Sequence, residues 1–168
     1  MQHIQSFAPI ENADAKILIL GSMPSEASLR AGQYYAHPRN AFWRIMGDLL
    51  GTDLASPYDQ RVQALKSARI ALWDVLRSCR RKGSLDSNID DESLVPNDLA
   101  AFFLNHPEIA HVFFNGTKAE QYYRKHIHPI IKIESIEYLR LPSTSPANAS
   151  ISYERKLDAW RVITECLT

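Results

Sequence analysis

Four short apolar runs punctuate the chain: Lys16–Leu20, Arg69–Trp73, His111–Phe114 and Tyr138–Leu141. Gly, Pro, Asp or Asn stands at or soon after the end of each. Such brief runs suit strands buried on both faces of a parallel sheet. Helical spacing fills the intervals. Phe42, Ile45, Met46, Leu49 and Leu50 make one apolar stripe, and Gly51 is placed to stop it. Leu99, Phe102 and Phe103 begin a second helix that His106-Pro107 ends. Thr117 and Glu120 have capping-box spacing at the start of a third. Tyr153, Leu157, Trp160, Ile163 and Leu167 form the apolar face of a fourth. Ser78–Pro96 is the longest stretch with neither pattern.

Strand alternating with helix predicts an α/β fold, a three-layer α/β/α sandwich around a four-stranded parallel sheet. The 168 residues suit a single domain spanning 1–168. In that arrangement the C-terminal strand ends crowd one rim, where open α/β sheets place ligands. Gly21-Ser22-Met23-Pro24, Asp74, Asn115-Gly116 and Leu141–Pro146 then meet there.

Charge and composition narrow the classes. No apolar run approaches the ~18 residues of a membrane span, and the N-terminal stretch lacks the basic and apolar regions of a signal peptide. Cys79 and Cys166 fit no metal or redox spacing, so both are expected reduced, in a cytoplasmic protein. His111, His126 and His128 suggest no metal site, and no cofactor is expected. The formal net charge of zero argues against gripping nucleic acid by charge alone. Arg77, Arg80, Arg81 and Lys82, followed by Asp86, Asp90, Asp91 and Glu92, read either as a self-compensating surface loop or as a phosphate-contacting rim.

The densest chemistry lies between Gly21 and Trp43. GSMPS follows the first strand, and after a loop with few charges comes YYAHPRNAFW. LPSTSPANAS follows the fourth strand. Together these resemble the uracil-DNA glycosylase superfamily. Its mismatch-specific branch carries GINPG followed by F-A-H-P-x-N-x-F-W. The hypoxanthine-DNA (deoxyinosine) glycosylase branch is more similar still, because its first motif also lacks the usual asparagine. AHPRNAFW at this distance behind the first motif is the most specific element.

The resemblance implies a monofunctional glycosylase acting on DNA that contains a deaminated base, hypoxanthine or, as a second candidate, uracil. It implies no metal and no membrane, and a monomer is expected. Most of the superfamily holds the attacking water with an Asn or Asp in the first motif, and Met23 stands there. A thioether cannot orient water. The branch's pattern instead assigns that role to Asn40, supported by Asn115. Gly21, Ser22, Met23 and Ser25 would form the pocket floor, Tyr35 a stacking platform, and Asp74 a reader of the base edge. Pro142, Ser143, Thr144, Ser145 and Pro146 match the second motif, a loop that presses into the minor groove, with Leu141 where relatives carry His or Asn. Other roles compete: Asn40 and Asp74 as caps, Asn115-Gly116 as a turn pair, His37, Ser143 and Ser145 as loop braces, and Tyr34, Phe42 and Trp43 as core. Two rival functions are a non-catalytic damage-binding module and a protein that binds a free nucleotide.

Overall fold

A computed structural model describes residues 2–168. Its elements run β1 (Gln2–Gln5), β2 (Ile17–Gly21), α1 (Glu26–Ala31), α2 (Phe42–Leu50), α3 (Tyr58–Ser67), β3 (Ile70–Asp74), β4 (Leu76–Arg81), β5 (Val95–Pro96), α4 (Leu99–Asn105), β6 (His111–Asn115), α5 (Thr117–His126), β7 (Glu137–Leu141), α6 (Tyr153–Trp160) and α7 (Val162–Glu165). The central sheet has the order β3-β2-β6-β7, and every pairing in it is parallel.

Alternation along β2 explains the layers. Leu18 and Leu20 face one core with Phe102 and Phe103 of α4 and Tyr122 and Tyr123 of α5. Ile17 and Ile19 face the other with Phe42 and Ile45 of α2, Leu65 of α3 and Trp160 of α6. All five residues of β2 are buried, as an inner parallel strand requires. The result is the expected three-layer sandwich. No helix among the described residues is long and apolar enough to cross a membrane.

Several expectations need correction. β7 is an edge strand with one buried residue, Leu141, and Leu139 lies open to solvent. Nothing pairs beyond it, so one flank needs no apolar cover. The segment 78–96 is not irregular throughout. β4 starts just before it and pairs antiparallel with β1 and β5 in a second, three-stranded sheet. Two short 3-10 turns, Asp86–Asn88 and Asp91–Ser93, fill the rest. Nor does Thr117 cap α5. Gly116, at φ +95°, holds the cap position, and no side chain bonds there. Glu120 faces Arg124 and Arg140 instead. Gly51 does end α2, at φ +74°, with its N–H returned to the carbonyl of Gly47.

Candidate active site

β2, β3, β6 and β7 run parallel, so Gly21, Asp74, Asn115 and Leu141 end on the same rim. They line one cavity of about 660 Å³, a size typical of small-molecule sites. Ser22, Met23, Ser25, Tyr35, Asn40 and Pro142 through Ser145 line it too. Of the residues the resemblance assigns to the site, Pro146 alone stands outside this lining.

The floor is tight. A Cβ on Gly21 would sit 2.6 Å from Asp74 Oδ1 and 2.8 Å from the Tyr35 hydroxyl. Only glycine lets those two polar groups lie over the end of β2. Neither Asp74 Oδ2 nor the Tyr35 hydroxyl has a hydrogen-bond partner, although both are buried. Orphaned polar atoms in a cavity are places where a ligand finds ready partners. Burial, with the charge of Asp86 added, raises the Asp74 carboxyl to about 7; the Arg81 guanidinium opposes the shift. Asp74 therefore holds its proton for a substantial fraction of the time near neutrality. Burial, then the Asp74 charge, also raises the Tyr35 phenol, which stays protonated.

Tyr35 occupies the left-handed region at φ +53°, a costly conformation for a side chain of its size. Its neighbours hold it there. The Tyr34 N–H donates to the Tyr58 hydroxyl at 3.0 Å, the Ala36 N–H donates to Ser28 Oγ at 3.1 Å, and Trp43 Nε1 donates to the Tyr34 carbonyl at 2.7 Å. The Tyr35 ring rests 4.4 Å from that of Phe42 at a tilt of 34°. Tyr34, Phe42 and Trp43 are buried, as expected of core residues.

Asn40 lies just before α2, with Ala41 in the cap position. Its Oδ1 nevertheless accepts from the Phe42 N–H at 2.9 Å. The asparagine thus performs the capping chemistry one residue early and keeps its amide NH2 free of any hydrogen bond within the described residues. His37 braces the same loop, accepting the Arg39 N–H on Nδ1 at 3.1 Å.

Asn115 is a clamp. Its Nδ2 donates to Thr144 Oγ1 and its Oδ1 accepts the Thr144 N–H, both at 2.9 Å. Thr144 is buried, and its carbonyl accepts the Ala41 N–H at 3.0 Å. One residue thereby ties the loop after β7 to the end of β6 and to the start of α2. Gly116 makes room, since a Cβ there would meet Ser143 Cβ at 2.9 Å.

The first-motif residues spend their polar groups inside the protein. Met23 is buried in the core layer that includes Leu20 and Val75. Ser25 Oγ accepts from Ser28 N at the start of α1. Ser22 Oγ donates to Asp86 Oδ2 at 2.7 Å. Asp86 lines the cavity, where the sequence left its segment either a self-compensating surface loop or a phosphate-contacting rim. It sits on a 3-10 turn far along the chain, and no local pattern marks it. Its carboxyl is raised by burial, with the Ser22 hydroxyl and Arg81 opposing. Arg81 is likewise not a surface residue. It is 2% exposed, donating from Nε to the Gly83 carbonyl and from Nη2 to the Pro24 carbonyl. Arg80, by contrast, pairs with Asp90 at 2.6 Å in the self-compensating manner. No group of three or more His, Cys, Asp and Glu arranged to hold a metal occurs among the described residues.

The family model described as "Uracil DNA glycosylase superfamily" matches residues 8–164. A protein of Methanosarcina barkeri (strain Fusaro / DSM 804) named hypoxanthine DNA glycosylase is 39% identical over 90% of this chain and 92% of its own length. A protein of the same name from Methanosarcina acetivorans is 37% identical over 95% and 96%. The solution NMR structure of a candidate uracil DNA glycosylase from Methanosarcina acetivorans superposes with a TM-score of 0.78 at 34% identity, covering 97% of this chain and 99% of the other. With the parallel sheet and the cavity at its strand ends, the chain belongs to the uracil DNA glycosylase superfamily.

Proposed function

We propose that this DNA glycosylase removes hypoxanthine from DNA by hydrolysing the bond between C1′ and the base, with uracil as a second substrate. The observation that carries the reading is Asn40. Its amide NH2 is free, its Oδ1 is fixed by the Phe42 N–H, and it lines the same cavity as the chemically silent Met23. The resemblance to relatives named hypoxanthine DNA glycosylase supports the choice of base.

A base stacked in a duplex is out of reach, so the target nucleotide swings out into the cavity. The Tyr35 ring, backed by Phe42, offers the flat surface on which a base stacks. Asn40 holds the water: the NH2 donates to its oxygen, and the second lone pair on Oδ1 can accept one of its protons. An amide is no general base, so placement supplies its share of the rate. Protonated Asp74 donates to an acceptor on the base edge and so supports the charge that collects there as the bond breaks. Asn115 acts at one remove, holding the Pro142–Pro146 loop in position to fill the space the base leaves.

The test is incubation with duplexes containing deoxyinosine or deoxyuridine, followed by alkaline cleavage of abasic sites. Strand breaks at deoxyinosine, with a weaker signal at deoxyuridine, are expected. Intact strands from both lesions, under conditions where a control glycosylase works, would overturn the reading. A stable complex from which unreacted lesion DNA is recovered would point to a binding module instead.

A further inference from the structure

A second pocket opens behind the Tyr35–Asn40 segment, between it, α2 and α6. Tyr35 and Asn40 line both pockets. Arg39, Arg44, Arg61 and Lys156 line the second, and no carboxylate does. In a chain with 19 basic and 19 acidic residues, four cations gathered without an acid are a local imbalance. None of the four forms an ion pair among the described residues.

Lys156 is the telling member. It is 7% exposed, and its ammonium makes no hydrogen bond among the described residues. Burial pulls it below the ordinary lysine range. The stem is buried while the ammonium stays open to the pocket, where no acid meets it and an arriving anion would. Two of the three arginines around it, Arg44 and Arg61, are held by aromatic rings rather than by acids, and Arg61 Nε also donates to the Ser56 carbonyl at 3.2 Å. Arg44 lies 3.6 Å from the centroid of Tyr153, and Arg61 lies 5.0 Å from that of Trp43. Cation–π packing orders a guanidinium and leaves its N–H groups available. Asp48, on α2, accepts the Tyr153 hydroxyl and lies outside the pocket lining.

We propose that this pocket is a phosphodiester site that holds the DNA strand next to the nucleotide in the base cavity. The proposal rests on the reading that the chain acts on DNA. Phosphate is the anion DNA brings, and arginine forks match its geometry. The shared wall of Tyr35 and Asn40 puts the site one segment away from the base. Phosphate binding of this kind sets the register of a strand without reading its sequence.

The experiment is fluorescence anisotropy with an undamaged short duplex over a salt series, so it does not depend on which base is released. Removing one cation that neutralises a phosphate should make the slope of log affinity against log salt shallower by about 0.9. The fall in affinity between about 50 and about 200 mM salt then becomes about threefold smaller. Lys156→Met keeps the buried stem, and the exposed pair Arg39→Gln with Arg44→Gln covers the case in which Lys156→Met does not fold. Lys132→Gln, exposed and outside both pockets, is the charge-matched control for Lys156→Met, and Lys125→Gln with Lys132→Gln is that for the arginine pair. A slope shallower in either pocket variant and unchanged in its control supports the proposal. Unchanged slopes, or an equal change in the control, overturn it. Inorganic phosphate or deoxyinosine monophosphate stabilising the wild type in a thermal-shift assay, with the variants' duplex slopes unchanged, would mark a free-anion site and also overturn it. Shallower slopes in the pocket variants, combined with no base release by the wild type from either lesion, would sink the proposed reaction and leave this site standing.

Discussion

Two pockets share one wall, and they differ in charge. The cavity at the strand ends carries both signs, Asp74 and Asp86 together with Lys118 and Arg140, and Asp74 is raised to about 7. The pocket behind it has four cations and no acid. In the function proposed above, the first receives a flat base whose edge is read by donors and acceptors. The second suits a charged ligand that needs no reading. A single segment, Tyr35 to Asn40, separates the cavity proposed to take the base from the pocket proposed to take the backbone. The zero net charge of the chain hides this division, because the total cancels what the fold keeps apart.

The largest effect that can break this comparison is at Asn40. Asn40→Ala should lower single-turnover base release by about 100- to 1000-fold, the range for losing one preorganised donor, and should cost about 1 kcal/mol as a missing helix cap. Asn40→Asp keeps an acceptor for the Phe42 N–H, so its melting temperature should return while its rate does not return in step. Full activity in Asn40→Ala would remove the assignment.

Asp74 comes next. Its folded carboxyl holds a proton up to about 7, whereas the unfolded chain releases it near the ordinary value of 3.8. The folded state thus binds more protons between those values, and stability falls as pH rises through that window. Asp74→Asn lifts the penalty and should stabilise the protein at about pH 8 by up to about 4 kcal/mol. The gain should vanish below about pH 4, which thermal unfolding at the two extremes will show. A smaller gain at the alkaline end than at the acid end would contradict the assignment. Base release by the wild type should decline above about pH 7 as the donor proton leaves.

Gly21→Ala tests the floor. A methyl group 2.6 Å from Asp74 Oδ1 forces the carboxyl or the Tyr35 hydroxyl aside. A stability decrease of about 1–3 kcal/mol is expected, with base release falling more than duplex affinity. Asn115→Leu, which removes both bonds to Thr144, should cost a similar or smaller amount, about 1–3 kcal/mol. Faster hydrogen exchange at the Thr144 amide would report the freed loop. The salt series on the basic pocket reads the smallest effect, about threefold per phosphate.

The parallel sheet was legible because its strands are short apolar runs closed by turn residues, and each run falls within one residue of the observed strand at either end. The cavity was legible for the same reason: parallel strands deliver their C-terminal ends together. The second sheet was not legible. β4 carries Arg77, Ser78, Arg80 and Arg81, and its buried positions include Ser78 and Arg81. Arg81 donates from Nη2 to a carbonyl 57 residues away, which no local periodicity shows. α3 escaped notice because Leu65 is its only buried residue. Asp86 escaped because its role depends on the Ser22 hydroxyl, 64 positions earlier. The basic pocket escaped because Lys156 lies far along the chain from Arg39 and shows its isolation only when packed.

Asn40 also bears on how relatives should be compared. If the proposed reaction holds, two selective pressures act on that one side chain: one keeps α2 capped, the other keeps water in place. Capping alone tolerates Asp, Ser or Thr, while the chemistry proposed above needs a donor as well as an acceptor. A lineage in which position 40 drifts among those four residues is preserving its fold. One that admits asparagine and nothing else is preserving its reaction.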